Sequence, residues 1–326
     1  MDLDLSLVRR VRPAVERRTR RTPMRLSARL GVRIGAPVGL KLECEQVTGS
    51  FKVRGALAAQ AIDLDPRPWV TASAGNHGLA VAYACRDART PPVVFVPRSS
   101  PQVKRAALRS LGADLRIVDA DGYDAAESAA RHFVSTHEAR FVSAFDHPAV
   151  MAGNGGTLAM EILEAIPDLG TVLVPVGGGG LLAGVGCVLR ALRPAVRIVG
   201  VQSEATPAMQ RSFATGTPLL QHAGNATLCD GLEGGVGALA FEFVRRWVDD
   251  VVLVPEAAVA AAMWWLWEEE RVRVEGAGAV GVAACLHGAT SCVGRVCIVL
   301  SGCNVDDDTW DRVKAPRTPP RHPRPS

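Results

Sequence analysis

The sequence predicts an α/β protein with parallel-rich, open twisted sheets that carry helices on both faces. Short runs of valine, isoleucine and leucine alternate along the chain with alanine-rich segments of helical length, a pattern typical of such sheets. The chain has 326 residues, of which 48% are hydrophobic and 21% are charged. A chain of this length can bury a large core and is expected to form about two domains.

The predicted strands are the short apolar runs, at residues 69–72, 93–96, 115–118, 172–175, 198–201, 251–254 and 296–300. The predicted helices lie between them, at residues 50–64, 76–86, 101–111, 123–137, 149–165, 181–192, 256–270 and 278–287. Ser50 is placed to cap the first of these helices, and Pro101 suits a first helical turn.

The order of these elements predicts how the chain divides into domains. Three consecutive strand–helix units fall within residues 69–147. Because consecutive units usually pack side by side, we expect 69–147 to form a small domain. Residues 1–68 and 148–314 then combine into a large domain, with a cleft between the two. The tail at 315–326 contains five prolines and three arginines, which predicts disorder.

Composition and charge favour a cytoplasmic protein that binds neither nucleic acid nor membrane. The net charge is +4, and the ten arginines within residues 1–33 have no aromatic residue between them, which favours a solvated helical face. The uncharged stretch 172–189 contains Pro175 and several glycines, so a strand, turn and helix are expected there instead of a membrane span. The first residues show neither a basic leader nor an apolar h-region, so secretion is not expected. Eight cysteines without a Cys-x-x-Cys pair are expected to be reduced thiols.

Lys52 is the first candidate for a chemical role. Only four of the 37 basic residues are lysines, and Lys52 follows two uncharged residues, Ser50 and Phe51. A partly buried primary amine can lose its proton and attack an aldehyde to form a Schiff base. For a single lysine, the alternative is a side chain that covers apolar surface on the first turn of a helix.

The four consecutive glycines at 177–180 are a candidate phosphate site. They lie between a predicted strand and a predicted helix, where several backbone amides can face one anion. Leu181 and Leu182 follow, which excludes a Walker loop. The pattern Gly178-x-Gly180-x-x-Ala183, with Glu204 about twenty residues further on, also fits a dinucleotide-binding variant, which stays open as a weaker alternative.

A second anion site is predicted at 73–78, which reads Ser-Ala-Gly-Asn-His-Gly. This segment also follows a predicted strand and begins a helix, and Ser73 and Asn76 add side-chain donors. The combination suits a small carboxylate or a phenolate oxygen, whereas a simple helix cap needs only one such residue. Taken alone, His77 is more often a packing residue than a catalyst.

Together these motifs resemble those of fold type II pyridoxal-phosphate (PLP) enzymes of the threonine/serine dehydratase and serine racemase family. The resemblance runs from Thr22 to Asp306 and includes Ser-Gly-Cys-Asn at 301–304. It implies a two-lobed, tryptophan synthase β-like fold, with PLP bound in the large domain. The alternative of a nicotinamide dinucleotide site explains the glycine loop but leaves the other motifs without a role.

The resemblance implies a role for each site residue. Lys52 would form the Schiff base with PLP and act as the catalytic base, and Ser301 would hydrogen-bond the pyridine nitrogen. The implied cofactor-binding residues are Lys52, Phe51, Asn76, Gly177, Gly178, Gly179, Gly180, Leu181, Glu275 and Ser301. The implied substrate-binding residues are Ser73, Ala74, Gly75, Asn76 and His77.

The implied reaction is α,β-elimination of L-threonine or L-serine to a 2-oxo acid and ammonia, by a homodimer. Two departures from the family pattern limit related activities. Serine racemases have a second serine where this chain has Ala74, so racemisation is expected to be poor. The family's cation site normally begins with glutamate where this chain has Gln202, so no metal is expected.

Two alternatives to elimination remain open. A cysteine-synthase-like β-replacement enzyme shares the fold and cofactor, although its lysine motif usually reads Ser-x-Lys-Asp-Arg. A non-catalytic protein that binds PLP or an amino acid is the other. The substrate is also open: Trp264, Trp265 and Trp267 either shape a pocket for a larger β-hydroxy amino acid or pack in the core or at a subunit interface.

Overall fold

The computed structural model describes residues 1–63, 65–120 and 122–314. The predicted tail at 315–326 lies outside the described residues. The strands of the described part are β1 Met24–Leu26, β2 Val38–Lys41, β3 Trp69–Ala72, β4 Val93–Pro97, β5 Asp114–Val118, β6 Arg140–Phe141, β7 Leu169–Pro175, β8 Arg197–Ser203, β9 Asp250–Val254 and β10 Arg295–Val299.

Helices precede, connect and follow these strands. In the described part they are α1 Leu5–Glu16, α2 Ala28–Ile34, α3 Lys52–Ile62, α4 Asn76–Ala84, α5 Gln102–Ser110, α6 Tyr123–Thr136, α7 Pro148–Met151, α8 Thr157–Ala165, α9 Gly180–Leu192, α10 Ala208–Thr215, α11 Ala238–Trp247, α12 Glu256–Glu270, α13 Gly276–His287 and α14 Asp307–Lys314. A π-helical turn at Ala152–Gly156 joins α7 to α8.

The strands form two sheets. The larger has the order β1-β2-β10-β7-β8-β9 and the smaller β5-β4-β3-β6. All pairings are parallel except the antiparallel pair of β1 and β2. The predicted α/β class with parallel-rich sheets is therefore confirmed. The strands of the smaller sheet all lie within 69–147. This supports the predicted division into domains, which stays a proposal.

Helices cover both faces of the larger sheet because its central strands are apolar on both sides. In β7, Val172 and Val174 belong to one buried cluster with α9 and α11, whereas Leu173 belongs to another with α12 and α13. Successive side chains of a strand point to opposite faces. Of the helices within the described ranges, none combines the length and apolarity that a bilayer crossing requires.

Glycines let α9 approach the π-helical turn without side chains between them. A Cβ at Gly155 would lie 2.1 Å from the carbonyl oxygen of Leu181, and one at Gly184 would lie 2.1 Å from that of Met151. Any larger residue would force these backbones apart. The N-terminal end of α9, which begins with the glycine loop, is thereby fixed.

The predicted cap of α3 is wrong. Helix α3 begins at Lys52 with Phe51 at its N-cap position and without a side-chain cap. Ser50 instead pairs with Gly302 through an antiparallel bridge, and this tertiary contact overrides the local capping preference. The Ser50 Oγ is buried and has no hydrogen-bond partner in the described part of the chain.

Candidate active site

A cavity of about 620 Å³ lies where the carboxyl ends of strands from both sheets meet. The loops that follow β3, β7 and β10 all reach it. The structure brings every sequence-predicted site residue to its wall: Phe51, Lys52, Ser73, Ala74, Gly75, Asn76, His77, Gly177, Gly178, Gly179, Gly180, Leu181, Glu275 and Ser301. The roles predicted for them are taken up below as proposals.

Lys52 presents its amine to this cavity from the first turn of α3. Its Nζ donates a hydrogen bond to the carbonyl oxygen of Ala144 at 3.1 Å and lies 5.3 Å from the centre of the Phe51 ring. Burial lowers the pKa of Lys52 to about 8, and the negative charge of Glu275 partly opposes this shift. A useful fraction of the amine is therefore neutral near pH 7 to 8.

A chain of hydrogen bonds joins the start of α4 to the end of the larger sheet. The Asn76 Nδ2 donates to Glu275 Oε1 at 2.7 Å, and the Asn304 Nδ2 donates to Asn76 Oδ1 at 2.6 Å. Burial, with repulsion from Asp230, raises the pKa of Glu275 to about 7. The orientation of the Asn76 amide is fixed from both sides. Asn304 was part of the predicted 301–304 motif but was not singled out.

His77 is held neutral in the cavity wall. Its Nε2 lies 3.2 Å from the carbonyl oxygen of Val142, which fits a ring that carries the proton on this nitrogen. Burial, with the nearby charge of Lys52, lowers the pKa of His77 to about 3. The neutral ring positions the 73–78 loop, and a role as a proton donor is not indicated.

The 73–78 and 301–304 loops are shaped by their own short contacts. The Ser73 Oγ accepts a hydrogen bond from the Gly75 amide at 3.2 Å. Ser301 is buried, and its carbonyl oxygen accepts from the amide of Phe51 at 3.1 Å. Ser301 is thus tied to the residue that precedes Lys52.

The glycine loop has the geometry of a phosphate cradle. Gly179 has φ +101°, which favours glycine, and α9 begins at Gly180. Amides in the first turn of a helix have no intrahelical acceptor, and within the described ranges no protein acceptor meets those of 178–181. Four free amides and a helix N-terminus suit a dianionic phosphate, and the Lys52 amine in the same cavity suits an aldehyde. The residues present therefore fit PLP.

Two alanine substitutions test this cradle. A Cβ at Gly178 would lie 2.5 Å from the Phe145 ring, and one at Gly180 would lie 2.5 Å from the Phe145 carbonyl oxygen. We expect both Gly178→Ala and Gly180→Ala to raise the Kd for PLP by about tenfold to a hundredfold, because overpacking displaces the free amides. Equilibrium titration of the apoprotein followed by cofactor absorbance measures this Kd.

Phe145→Ala provides the matched control. It removes the ring that a methyl group at position 178 would meet, but it leaves the backbone oxygen that a methyl group at position 180 would meet. Combined with Gly178→Ala it should restore most of the lost affinity, whereas combined with Gly180→Ala it should restore little. Equal rescue of both variants would contradict the steric explanation.

The sequence did not identify an ion pair on the wall of this cavity. Lys104 of α5 and Asp230 lie 3.0 Å apart, nitrogen to oxygen, and both line the cavity. The charges of Asp230 and Glu275 raise the pKa of Lys104, although burial opposes them. The scarcity of lysine in the sequence could have drawn attention to Lys104. Its pairing with Asp230, however, depends on tertiary structure.

The structure answers one prediction about the surroundings of the cavity. Trp264, Trp265 and Trp267 do not line the cavity; they pack on the buried cluster beneath α12. The prediction that they shape a substrate pocket is therefore wrong, and the prediction that they pack in the core agrees with the structure. The Gln202 Oε1 accepts a hydrogen bond from the Gln210 amide at 2.9 Å. Across the described residues, no cluster of His, Cys, Asp or Glu has a metal-binding arrangement.

Comparisons with known proteins agree on the family. Residues 15–302 match the family model described as "Pyridoxal-phosphate dependent enzyme". The chain is 41% identical to a putative threonine dehydratase of Sinorhizobium fredii over 94% of this chain and 93% of that protein. It is 39% identical to an L-threonine ammonia-lyase of Thermotoga maritima over 90% and 73%, respectively.

Solved structures give the same answer. The structure of maize serine racemase has a TM-score of 0.87 and 29% identity, covering 96% of this chain and 97% of that one. The crystal structure of a threonine deaminase from T.th. has a TM-score of 0.87 and 33% identity, covering 93% and 99%. The predicted family, fold and cofactor are confirmed: this chain belongs to the fold type II pyridoxal-phosphate dependent enzymes, in the threonine/serine dehydratase family.

Proposed function

We propose that this protein is a PLP-dependent ammonia-lyase that converts L-threonine or L-serine to the corresponding 2-oxo acid and ammonia. The observation that carries the proposal is the convergence of the Lys52 amine, the glycine loop and the 73–78 loop on one cavity. The similarity to an L-threonine ammonia-lyase supports the choice of substrate.

The chemistry divides between cofactor and protein. When bound, PLP withdraws electrons from the substrate α-carbon, which acidifies the α-proton and allows the β-hydroxyl group to leave. The protein must then bind the phosphate, orient the substrate and move the proton. The free amides of 178–181, at the positive end of α9, would hold the phosphate. Ser301 would offer the pyridine nitrogen a hydroxyl group, which could not keep that nitrogen charged as a carboxylate would.

Lys52 takes the α-proton in this proposal. A base near its own pKa combines a sizeable neutral fraction with adequate strength, and burial gives Lys52 a pKa of about 8. Its Nζ already lies at a hydrogen-bonding position in the cavity wall, 3.1 Å from the Ala144 oxygen.

The 73–78 loop binds the substrate carboxylate. Its amides lie at the N-terminus of α4, where the helix dipole favours a negative charge. The Asn76 amide is oriented by Glu275 and Asn304, and His77 stays neutral because of its burial. Ala74 contributes a methyl group to the cavity wall. Because a methyl group cannot donate or accept a proton, little racemisation is expected.

An assay of the purified holoenzyme tests this proposal. We expect release of 2-oxobutanoate from L-threonine and of pyruvate from L-serine, measured by coupled reduction of the 2-oxo acid. Hydroxyaspartate and phenylserine test for larger substrates. Formation of new amino acids from added thiols, without oxo-acid release, would support β-replacement instead. An absorbance band from bound PLP without turnover of any β-substituted amino acid would indicate a binding protein.

We further propose that the protein acts as a homodimer in the cytoplasm. The dimer is what the resemblance stated above implies, and the eight free cysteines of the described part suit a reducing compartment. Sedimentation equilibrium tests the dimer, and cell fractionation tests the location.

A further inference from the structure

The first turn of α3, which carries Lys52, is completed by a side chain from another segment. Helix α3 has no side-chain cap of its own, and the carbonyl oxygen of Phe51 accepts a hydrogen bond from the Arg54 amide at 3.0 Å. The next amide, that of Gly55, donates to Asn154 Oδ1 at 2.8 Å. Asn154 belongs to the π-helical turn, 99 positions along the chain. A tertiary contact therefore holds the end of α3 that bears the amine.

This contact is buried and closely fitted. Asn154 is 1% exposed, so bulk water cannot replace it as the acceptor for the Gly55 amide. A Cβ at position 55 would lie 2.5 Å from Asn154 Oδ1, and one at Gly153 would overlap with the Ala58 side chain. The glycines set how closely the two backbones approach, whereas the directional hydrogen bond fixes how one lies along the other.

The same π-helical turn also contacts the helix that begins at the phosphate cradle. Gly155, the residue after Asn154, packs against the carbonyl oxygen of Leu181, and Gly184 packs against that of Met151, without room for a side chain. Helix α9 starts at the last glycine of the loop. The turn thus lies between the helix with the amine and the helix whose N-terminus faces the phosphate.

The spacing between these two helices matters because one small ligand must engage both. In the proposed function, the PLP aldehyde reacts with the amine of Lys52 while the PLP phosphate binds the amides of the glycine loop. PLP has a rigid ring with short substituents, so a bond at one end determines where the other end can lie. A misplacement of about 1 Å between reacting groups can cost about a hundredfold in rate.

We propose that Asn154 is a positioning residue that fixes the separation and register between Lys52 and the glycine loop. Asn154 is not among the described residues that line the cavity, so it acts through the Gly55 amide and through the backbone of its own turn. The role of Asn154 rests on the proposed attachment of PLP to Lys52. It does not depend on which amino acid is the substrate.

Two ligands that differ at one end test this role. Asn154→Leu removes the acceptor with little change in side-chain volume. PLP engages both helices, whereas pyridoxine 5'-phosphate has an alcohol in place of the aldehyde and engages only the glycine loop. We expect Asn154→Leu to raise the Kd for PLP by at least about tenfold more than the Kd for pyridoxine 5'-phosphate, because only PLP needs both helices in register. Equilibrium titration of the full-length apoprotein, followed by fluorescence, measures both constants.

Gln202→Met provides the matched control. The Gln202 Oε1 also accepts a hydrogen bond from a backbone amide, that of Gln210, at 2.9 Å. Gln202 is fully buried and is not among the described residues that line the cavity. Its loss should change the Kd for PLP and the Kd for pyridoxine 5'-phosphate by the same factor. Urea unfolding of each apoprotein shows whether the two variants lose similar stability.

The ratio of the two dissociation constants decides the outcome. Equal weakening of both ligands by Asn154→Leu, or no change in either Kd, would overturn the role of Asn154. If Asn154→Leu does not fold, Asn154→Ala is the milder variant, because a water molecule can then reach the Gly55 amide, and the ratio should shift in the same direction by a smaller factor.

Borohydride reduction of the wild-type holoenzyme separates this inference from the proposed function. Absence of a covalent PLP label on Lys52 would overturn the attachment and, with it, the role of Asn154. A labelled Lys52 in the wild type, together with an unchanged ratio in Asn154→Leu, would overturn the role of Asn154 alone.

Discussion

Replacement of Lys52 by alanine is expected to lower kcat by at least about 10³-fold, because the reaction loses its base and the amine that attaches the cofactor. The side chain projects into the cavity with a pKa lowered to about 8 by burial, and arginine could not replace it, since a guanidinium does not lose its proton. Measurement of oxo-acid release by Lys52→Ala and Lys52→Arg tests this.

Lys104 provides the internal control, because it is the other lysine on the cavity wall. Borohydride reduction of the wild-type holoenzyme should fix PLP covalently to the tryptic peptide that contains Lys52. Lys104→Ala should keep this label and retain PLP. Recovery of the label on Lys104, or on neither lysine, would contradict the proposed mechanism.

The lowered pKa of Lys52 also predicts a pH dependence of cofactor binding. Burial disfavours the ammonium form, so the neutral amine that attacks the aldehyde becomes more abundant as the pH rises through about 8. The rate of PLP attachment to the apoprotein, followed by absorbance, should therefore rise between about pH 7 and 9 and then level off. A rate that keeps rising to about pH 10.4, the value of an unperturbed lysine, would show that burial does not act as described.

Replacement of Arg54 by methionine is expected to destabilise the protein by about 3–5 kcal/mol, because it leaves buried carboxylates without their partner. Arg54 is fully buried two residues after Lys52. Its guanidinium donates to Glu43 at 2.8 and 2.9 Å and to Glu161 at 2.7 Å. Lys41, also buried, donates to Glu161 at 2.5 Å. Urea unfolding monitored by fluorescence measures the change.

Two further variants make this result interpretable. In Arg54→Met/Glu43→Gln one of the stranded charges is removed, so the double variant should recover part of the lost stability. Lys314→Ala removes an exposed partner of Asp311 in α14 and should cost less than about 0.5 kcal/mol. A loss of less than about 1 kcal/mol in the free energy of unfolding of Arg54→Met would mean that the buried ion pairs do not stabilise the packing of α3.

The sequence predicted the elements whose burial comes from their own pattern. The strand at 69–72 and the helix at 256–270 coincide with β3 and α12, because a mainly apolar run defines the first and an alanine-rich run of helical length defines the second. The elements before residue 42 were not placed: α1 is rich in arginine and contains Pro13, and β1 has three residues. Such short or polar segments are stabilised by tertiary contacts.

The site residues that directly follow a strand could be predicted from the sequence, whereas those in other segments could be predicted only in part. The glycine loop and the 73–78 loop were identified because each lies between a strand and a helix. The segment at 143–146 and the loop at 231–238 also line the cavity, but they contain no comparable motif. The Lys104–Asp230 pair joins residues 126 positions apart, and local patterns carry no information about such a pairing.

The close contact between α9 and the π-helical turn determines where the substrate range can be engineered. Gly155 and Gly184 allow no side chain between these backbones, so a library that varies them would lose folded protein before it gained new specificity. The loop at 231–238 faces the same cavity without belonging to that contact. Directed evolution toward bulkier amino acids should therefore find its productive substitutions at the non-glycine positions of that loop, because a Cβ at Gly235 would itself lie 2.0 Å from the Leu220 carbonyl oxygen.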